Sequence, residues 1–257
     1  MHAQQSEFQL RLAASEADLR YAQRLRYRVF VEELGGDGPL VDHAAGLEKD
    51  RFDPFYDHLL LIDPAEPLDG GVIGVYRLLR EDQAKRAGQF YSEDEYDLSV
   101  LKASGRRLLE LGRSCLAPHY RGGMAMVHLW AGLADYVDQH GIEVLFGVAS
   151  FHGTDIAALK EPLAFLHHRH RAPPELRVRA QEAHFQRMDL VNEADLDRRR
   201  AMLQTPALIK AYLRLGGFVG DGAFVDHAFN TTDVCLVMDT ARLNAKQARM
   251  YTRRPAP

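Results

Sequence analysis

The sequence is short of several things, and each shortage closes off a class of protein. Only two of its 257 residues are cysteine, Cys115 and Cys235, both inside apolar runs. Two such thiols cannot staple a disulfide framework, so buried free thiols in a reducing compartment are expected. No apolar run approaches the length of about 20 residues that a membrane-spanning helix needs. The opening MHAQQSEF lacks the apolar core of a secretory signal, so a cytoplasmic location is expected. There is no Gly-x-Ser-x-Gly nucleophile turn and no Walker-type loop. His167, His168 and His170 stand together without a second group at ligand spacing, so no metal site is expected. With 32 Lys and Arg against 36 Asp and Glu, the net charge of −4 offers no general affinity for nucleic acid.

What is present is an ordinary soluble composition, 46% apolar and 26% charged, long enough to bury a substantial core. Phe8 to Ser15 alternates like a strand, and Ser15 with Asp18 signals the start of a helix over 16–33. Residues 58–63 and 72–79 read as strands joined by the turn LDGG, and 81–105 as an acidic helix and loop. A strand through Glu110 leads to a helix that ends near Gly141, and 143–150 is a buried strand. Residues 166–180 read as a basic loop, 184–190 as a strand and 193–203 as a charged helix or loop. LIKAYLRLGGF is a helix stopped by Gly216 and Gly217, and two β-rich runs close the domain before a basic tail. The whole reads as one α/β domain with a mixed sheet, extended through about 151–240 and ending in the tail 241–257.

Two features carry chemistry. In RSCLAPHYRGGMA a strand runs into a basic, glycine-containing turn at a helix N-terminus, where unpaired N–H groups and the helix dipole favour an anion. The other is a set of polar residues interrupting apolar elements: Arg26, Asp50, Asp53, Arg77, Glu110 and Arg113. A charge inside a sheet strand needs a partner or solvent, so three acids and three arginines are expected to pair into one network, or to stand as separate surface pairs. The His-x4-Asp spacing occurs twice, at His58/Asp63 and His184/Asp189, but in strands residues five apart face opposite ways and cannot cooperate.

The turn resembles the pyrophosphate-binding turn of the GNAT acyltransferases, with Arg121, Gly123 and Ala125 at matching positions and one residue fewer between Arg121 and Gly123. The charged set resembles that of the acyl-homoserine-lactone synthases, a GNAT-fold family. Arg26 and Phe30 lie four apart on the first helix, Asp50 and Asp53 follow, then a strand arginine, Arg77, and the pair Glu110–Arg113. That family's tryptophan is missing here; Gly35 and Gly36 stand nearby, and the only tryptophan is Trp130. FGVASFHGTD, ELGRSCLAPHYRGG and LIKAYLRLGGFVGDGAFVDHAFNTTDVCLVMD are similar to the N-acyltransferases of ornithine-lipid synthesis, the "hemolysin-like" group, over about Leu25 to Asp239.

The resemblance implies a GNAT-like mixed central sheet flanked by helices. It also implies transfer of a 3-hydroxyacyl group from acyl carrier protein to the α-amine of ornithine. No cofactor is implied beyond the donor's phosphopantetheine, which would lie along Leu116, Arg121, Gly122, Gly123 and Ala125. Glu110 would be the base or water relay and Arg113 its partner. Arg26, Phe30, Asp50, Asp53 and Arg77 would shape the acceptor site. The same chemistry on another amino acid such as glutamine, a lactone-synthase-like reaction and a non-enzymatic membrane-perturbing module are the rivals. An acidic carrier protein needs a local basic surface, expected at Arg169, Arg171, Arg177 and Arg179. Lys246, Arg249, Arg253 and Arg254 in the tail suggest a weak contact with anionic membrane.

Overall fold

The alternating run after Phe8 forms strand β1 (Gln9–Leu12), and Ser15 caps helix α1 (Glu16–Arg26) by accepting the Asp18 N–H. In this computed structural model, which describes residues 8–227 and 229–243, the helix does not run on to Glu33 as an α-helix. Its continuation Tyr27–Glu33 is wound more widely, as a π-helix, and Leu34 N–H reaches back to Val29 O. Next come β2 (Asp57–Ile62), β3 (Val72–Arg80), α2 (Glu81–Ala87), β4 (Tyr96–Asp97), α3 (Ser99–Lys102), β5 (Leu108–Leu116) and α4 (Ala125–His140). Then follow β6 (Val144–His152), α5 (Ile156–His170), β7 (Arg179–Ala180), β8 (Phe185–Gln186), α6 (Arg198–Gln204) and α7 (Ala207–Arg214). The last strands are β9 (Phe218–Val219), β10 (Ala223–Asp226) and β11 (Thr231–Asp239).

The described residues group into two compact units, one of residues up to Ala87 with Leu111–Gly141, the other of Gly88–Glu110 with Ile142 onward. In the first, the strand order is β1-β2-β3-β5, with β1/β2 and β2/β3 antiparallel. The β2–β3 turn uses Gly70 and Gly71 at φ of +64° and +80°, and a Cβ at Gly71 would sit 2.5 Å from Asp63 O. Ala22 and Leu25 of α1, with Val29 of its π-helical continuation, pack with Leu60, Ile62, Val72, Val75 and Cys115. Gly132 of α4 lies so close to β1 that a Cβ there would come within 1.8 Å of Leu10 Cδ2.

In the second unit the order is β5-β6-β11-β10-β8, with β9 on β11. β5 and β6 are parallel over three pairs, Leu108–Val144 to Glu110–Phe146, whereas β6 and β11 are antiparallel over nine residues. The sheet is therefore mixed. Both cysteines are buried and free, one in each unit.

Two sequence expectations change, and a third is not reached. Helix α5, capped by Asp155, runs to His170 and takes in residues 166–170, which composition suggested were loop. The expected strand over 184–190 shrinks to Phe185–Gln186. The basic tail beyond Leu243 lies outside the described residues; Arg242, just before it, pairs with Glu175 and Asp239.

Candidate active site

The first unit contains the charged network. Arg26 closes α1 and is wholly buried. Its Nε donates to Glu48 Oε2 at 2.6 Å, its Nη1 to Asp53 Oδ1 at 2.8 Å and its Nη2 to Asp53 Oδ2 at 2.7 Å. Arg77 in β3 is equally buried and donates to Asp50 Oδ2 at 2.6 Å and Asp53 Oδ1 at 2.9 Å, its guanidinium lying 4.3 Å from the centre of the Tyr56 ring. Asp50 is positioned by its own turn, its Oδ1 accepting the N–H groups of Phe52 and Asp53. Arg113 completes the set, with Nε 3.2 Å from Glu48 Oε1 and its guanidinium 5.9 Å from the Phe30 ring, a cation–π distance.

Three arginines meet three carboxylates in this unit, and one of those acids, Glu48, was not among the residues the sequence singled out. Glu48 stands two positions before Asp50 in the same charged segment, and that clustering was the available signal. Burial pushes the Glu48, Asp50 and Asp53 carboxyls up, yet the surrounding arginines outweigh it and hold all three below their usual range. Most of the network is sealed. Only the side chains of Arg113 and Asp50 keep 20% and 18% exposure, so these two form its outward edge.

His58 was missed as a member. It is the cross-strand partner of Arg77, is buried, and its Nε2–H donates to Asp53 O at 3.0 Å. Burial, with Arg26 close by, lowers its pKa to about 4. Asp63, five positions on, accepts from Tyr120 Oη, and Asp189 is held by Arg187, so neither His-x4-Asp spacing forms a pair, as the sequence reading expected.

Glu110 and Arg113 lie three apart in β5, where a regular strand would turn them to opposite faces. The strand is not regular: Arg113 has φ +49°, a left-handed conformation that a non-glycine residue rarely takes. The kink thus falls on Arg113 itself and not on Gly112. Glu110 is 1% exposed, and within its own unit its carboxylate accepts from Tyr91 N–H (2.8 Å), Ser92 N–H (2.6 Å) and the Ser92 hydroxyl.

At the head of α4, Gly122 has φ +78° with open space around it, and Gly123 is nearly as clear. The backbone N–H groups from Gly122 to Val127 meet no acceptor among the described residues, which leaves them for water or an anion. Arg121 is engaged elsewhere: Nη1 and Nη2 grip Glu33 at 2.6 and 2.7 Å, and Nε donates to Leu116 O. Ala125 is buried, as is Leu116, whose side chain covers Gly74, so a Cβ on that glycine would meet it at 2.7 Å.

The four arginines expected to dock a carrier protein are all occupied in the second unit. Arg169 pairs with Glu193, Arg171 and Arg179 with Asp221, and Arg177 donates to Ala172 O. By contrast, the side chains of Arg198, Arg199 and Arg200 on α6 are exposed and make no ion pair among the described residues.

A mixed sheet flanked by helices is the architecture of the GNAT acyltransferases. Residues 25–131 match the family model "Acetyltransferase (GNAT) domain". The structure overlays on the acyl-homoserine-lactone synthase LasI with TM-score 0.51 at 17% identity, covering 96% of this chain and 95% of that one. It overlays on FeeM, an N-acyl amino acid synthase from uncultured soil microbes, with TM-score 0.52 at 10% identity, covering 91% of each. The sequence is 62% identical to L-ornithine N(alpha)-acyltransferase of Rhodobacter capsulatus over 99% of this chain and 98% of that protein. It is 44% identical to L-ornithine N(alpha)-acyltransferase of Brucella abortus, covering 95% and 88%. The chain belongs to the L-ornithine N(alpha)-acyltransferase family and is an N-acyltransferase. No described helix is long and apolar enough to cross a membrane.

Proposed function

We propose that this enzyme transfers a 3-hydroxyacyl group from the phosphopantetheine thioester of acyl carrier protein to the α-amine of L-ornithine. The observation that carries the acceptor is the 62% identity, along essentially the whole chain, to a protein of that name. The donor rests on the family resemblance and on the short turn at Arg121–Ala125, whose N–H groups from Gly122 onward suit a single phosphate.

In this reading the amine attacks the thioester carbonyl, the thiolate leaves, and the amine's proton must be accepted. An α-amine titrates near 8 and a side-chain amine near 10.4 (both approximately), so the neutral nucleophile is far more abundant at the α position. Ornithine brings a carboxylate and a distal ammonium. Arg113 and Asp50, the outward edge of the network, match those two charges, while Arg26, Asp53 and Arg77 behind them fix their geometry. Glu110 is the base or water relay. The product carries an acyl chain and a charged head, so it would leave toward a membrane surface, the enzyme itself acting from the cytoplasm.

The direct test uses purified protein, hydroxyacyl carrier protein and a panel of amino acids, with products read by mass spectrometry. Mono-acylated ornithine, α-linked by fragmentation, is the expected product. Preferential acylation of glutamine, or turnover with acyl-coenzyme A alone, would replace the acceptor or the donor. Glu110→Gln should lower kcat about a hundredfold; turnover within a few-fold of wild type removes Glu110 from the chemistry.

A further inference from the structure

In the first unit the residue expected to greet the donor's phosphate is already holding a carboxylate. Arg121 presents both terminal nitrogens to the two oxygens of Glu33, at 2.6 and 2.7 Å, in the fork-to-fork geometry that a phosphate would also use. Beside this pair the N–H groups of Gly122 to Val127 stand without acceptors among the described residues, so the turn is otherwise ready for an anion. Glu33 is the last residue of the π-helical segment, three positions beyond Phe30 and seven beyond Arg26. The same segment therefore reaches into the charged network at one end and onto the donor turn at the other.

We propose that Glu33 is an internal competitor for the donor's phosphate: it occupies Arg121 in the free enzyme and is displaced when the phosphopantetheine arm arrives. The proposal deepens the reading above, since it takes the turn at Arg121 as the phosphate site. Arg121 and Glu33 are both well exposed, with side-chain exposures of 41% and 38%. Exposed pairs of this kind are weak, so the exchange is easy and its effect modest. Displacement also releases the end of the segment that carries Phe30 against Arg113. Donor occupancy is thus communicated to the outward edge of the network, and by reciprocity an acceptor that orders that segment alters donor affinity.

A purely structural alternative makes the opposite prediction. If Glu33 merely holds Arg121 in place, removing its charge should weaken phosphate binding; if Glu33 competes, removal should strengthen it. The test measures dissociation constants by calorimetry for 4′-phosphopantetheine and for pantetheine, which lacks the phosphate, on the full chain. Glu33→Gln should bind phosphopantetheine about threefold more tightly at low salt, converging on wild type as salt screens the pair. Pantetheine should bind both proteins alike. Equal or weaker binding of phosphopantetheine by Glu33→Gln overturns the proposal, as does equal tightening for both probes. Arg121→Gln separates the two layers. If it loses the preference for phosphopantetheine while Glu33→Gln changes nothing, only the competitor role falls. If Arg121→Gln binds as wild type does, the phosphate site lies elsewhere and both statements fall. Unchanged thermal melting of the two variants shows that each remains folded.

Discussion

Two buried acidic sites, one in each unit, hold their carboxylates in different ways. In the first, Glu48 and Asp53 are buried beside arginines that are themselves fully buried, so charge is answered by charge. In the second, Glu110 is 1% exposed and accepts from two backbone N–H groups and a serine hydroxyl. The first arrangement depends on every member being present, because removing one ion strands its partners in a poorly solvated place. The second depends on a carboxylate accepting hydrogen bonds at both oxygens, and an uncharged group can replace part of that. Coupled charges suit a site that must hold its outward edge rigid, whereas an anchor of backbone donors fixes a single side chain on a turn.

Substitutions should separate the two kinds of burial by size. Arg26→Met keeps bulk but leaves Glu48 and Asp53 without their principal cation, and should cost about 3–5 kcal/mol of folding stability. Urea unfolding measures it; a loss below about 1 kcal/mol would mean that the network is solvated and that the comparison fails.

The network should also make stability pH-dependent through His58. Its folded pKa of about 4 lies below the ordinary 6.5, so between those values the unfolded chain binds the extra proton. Stability from this group is complete above about pH 6.5 and is lost as pH falls toward 4, by about 3 kcal/mol in all. His58→Gln, which can still donate to Asp53 O, should flatten that slope; an unchanged slope between pH 6.5 and 4 assigns it to other groups.

Glu110→Gln should be gentler. With its oxygen left on the Ser92 donors, the amide nitrogen faces the Tyr91 N–H, donor against donor. The expected cost is about 1–3 kcal/mol, smaller than for Arg26→Met. A cost as large as that of Arg26→Met would show that the two sites do not differ in the way described.

The smallest effect concerns docking. Arg169 and Arg171 are partnered by acids, whereas Arg198, Arg199 and Arg200 are not, among the described residues. Reversing the charges at 198–200 should raise KM for the acyl carrier protein on the order of fivefold at low salt. Reversal at Arg169 and Arg171 should do less and should cost stability. The opposite ranking would return the docking surface to the end of α5.

Much of this was legible in the chain itself. Ser15 caps α1, Gly141 ends α4 at φ +58°, and the strand runs at 57–62, 72–80 and 231–239 follow from short apolar patterns. The network's membership was nearly so, because Arg26, Asp50, Asp53, Arg77 and Arg113 are charges in places that demand partners. Glu48 was hidden because side chains two apart in an irregular segment carry no periodic signal. Spacing along β5 also does not reveal where a left-handed residue such as Arg113 breaks the alternation. Helix α5 hid its last turn because LHHRH has the composition of a loop, and only packing decides otherwise.

The wide turn after Arg26 has a consequence for how relatives are aligned. A bond from Leu34 back to Val29 encloses one residue more than an α-helical bond does. A chain lacking one residue between Tyr27 and Glu33 could close that stretch as ordinary α-helix with little change to what precedes it. Everything after the deletion would then turn by about 100° around the axis and slide by about 1.5 Å. Glu33 would swing off Arg121, although no residue in contact with Arg121 had been substituted. A one-residue gap at this point, easily dismissed as alignment noise, would mark a relative whose donor turn is governed differently.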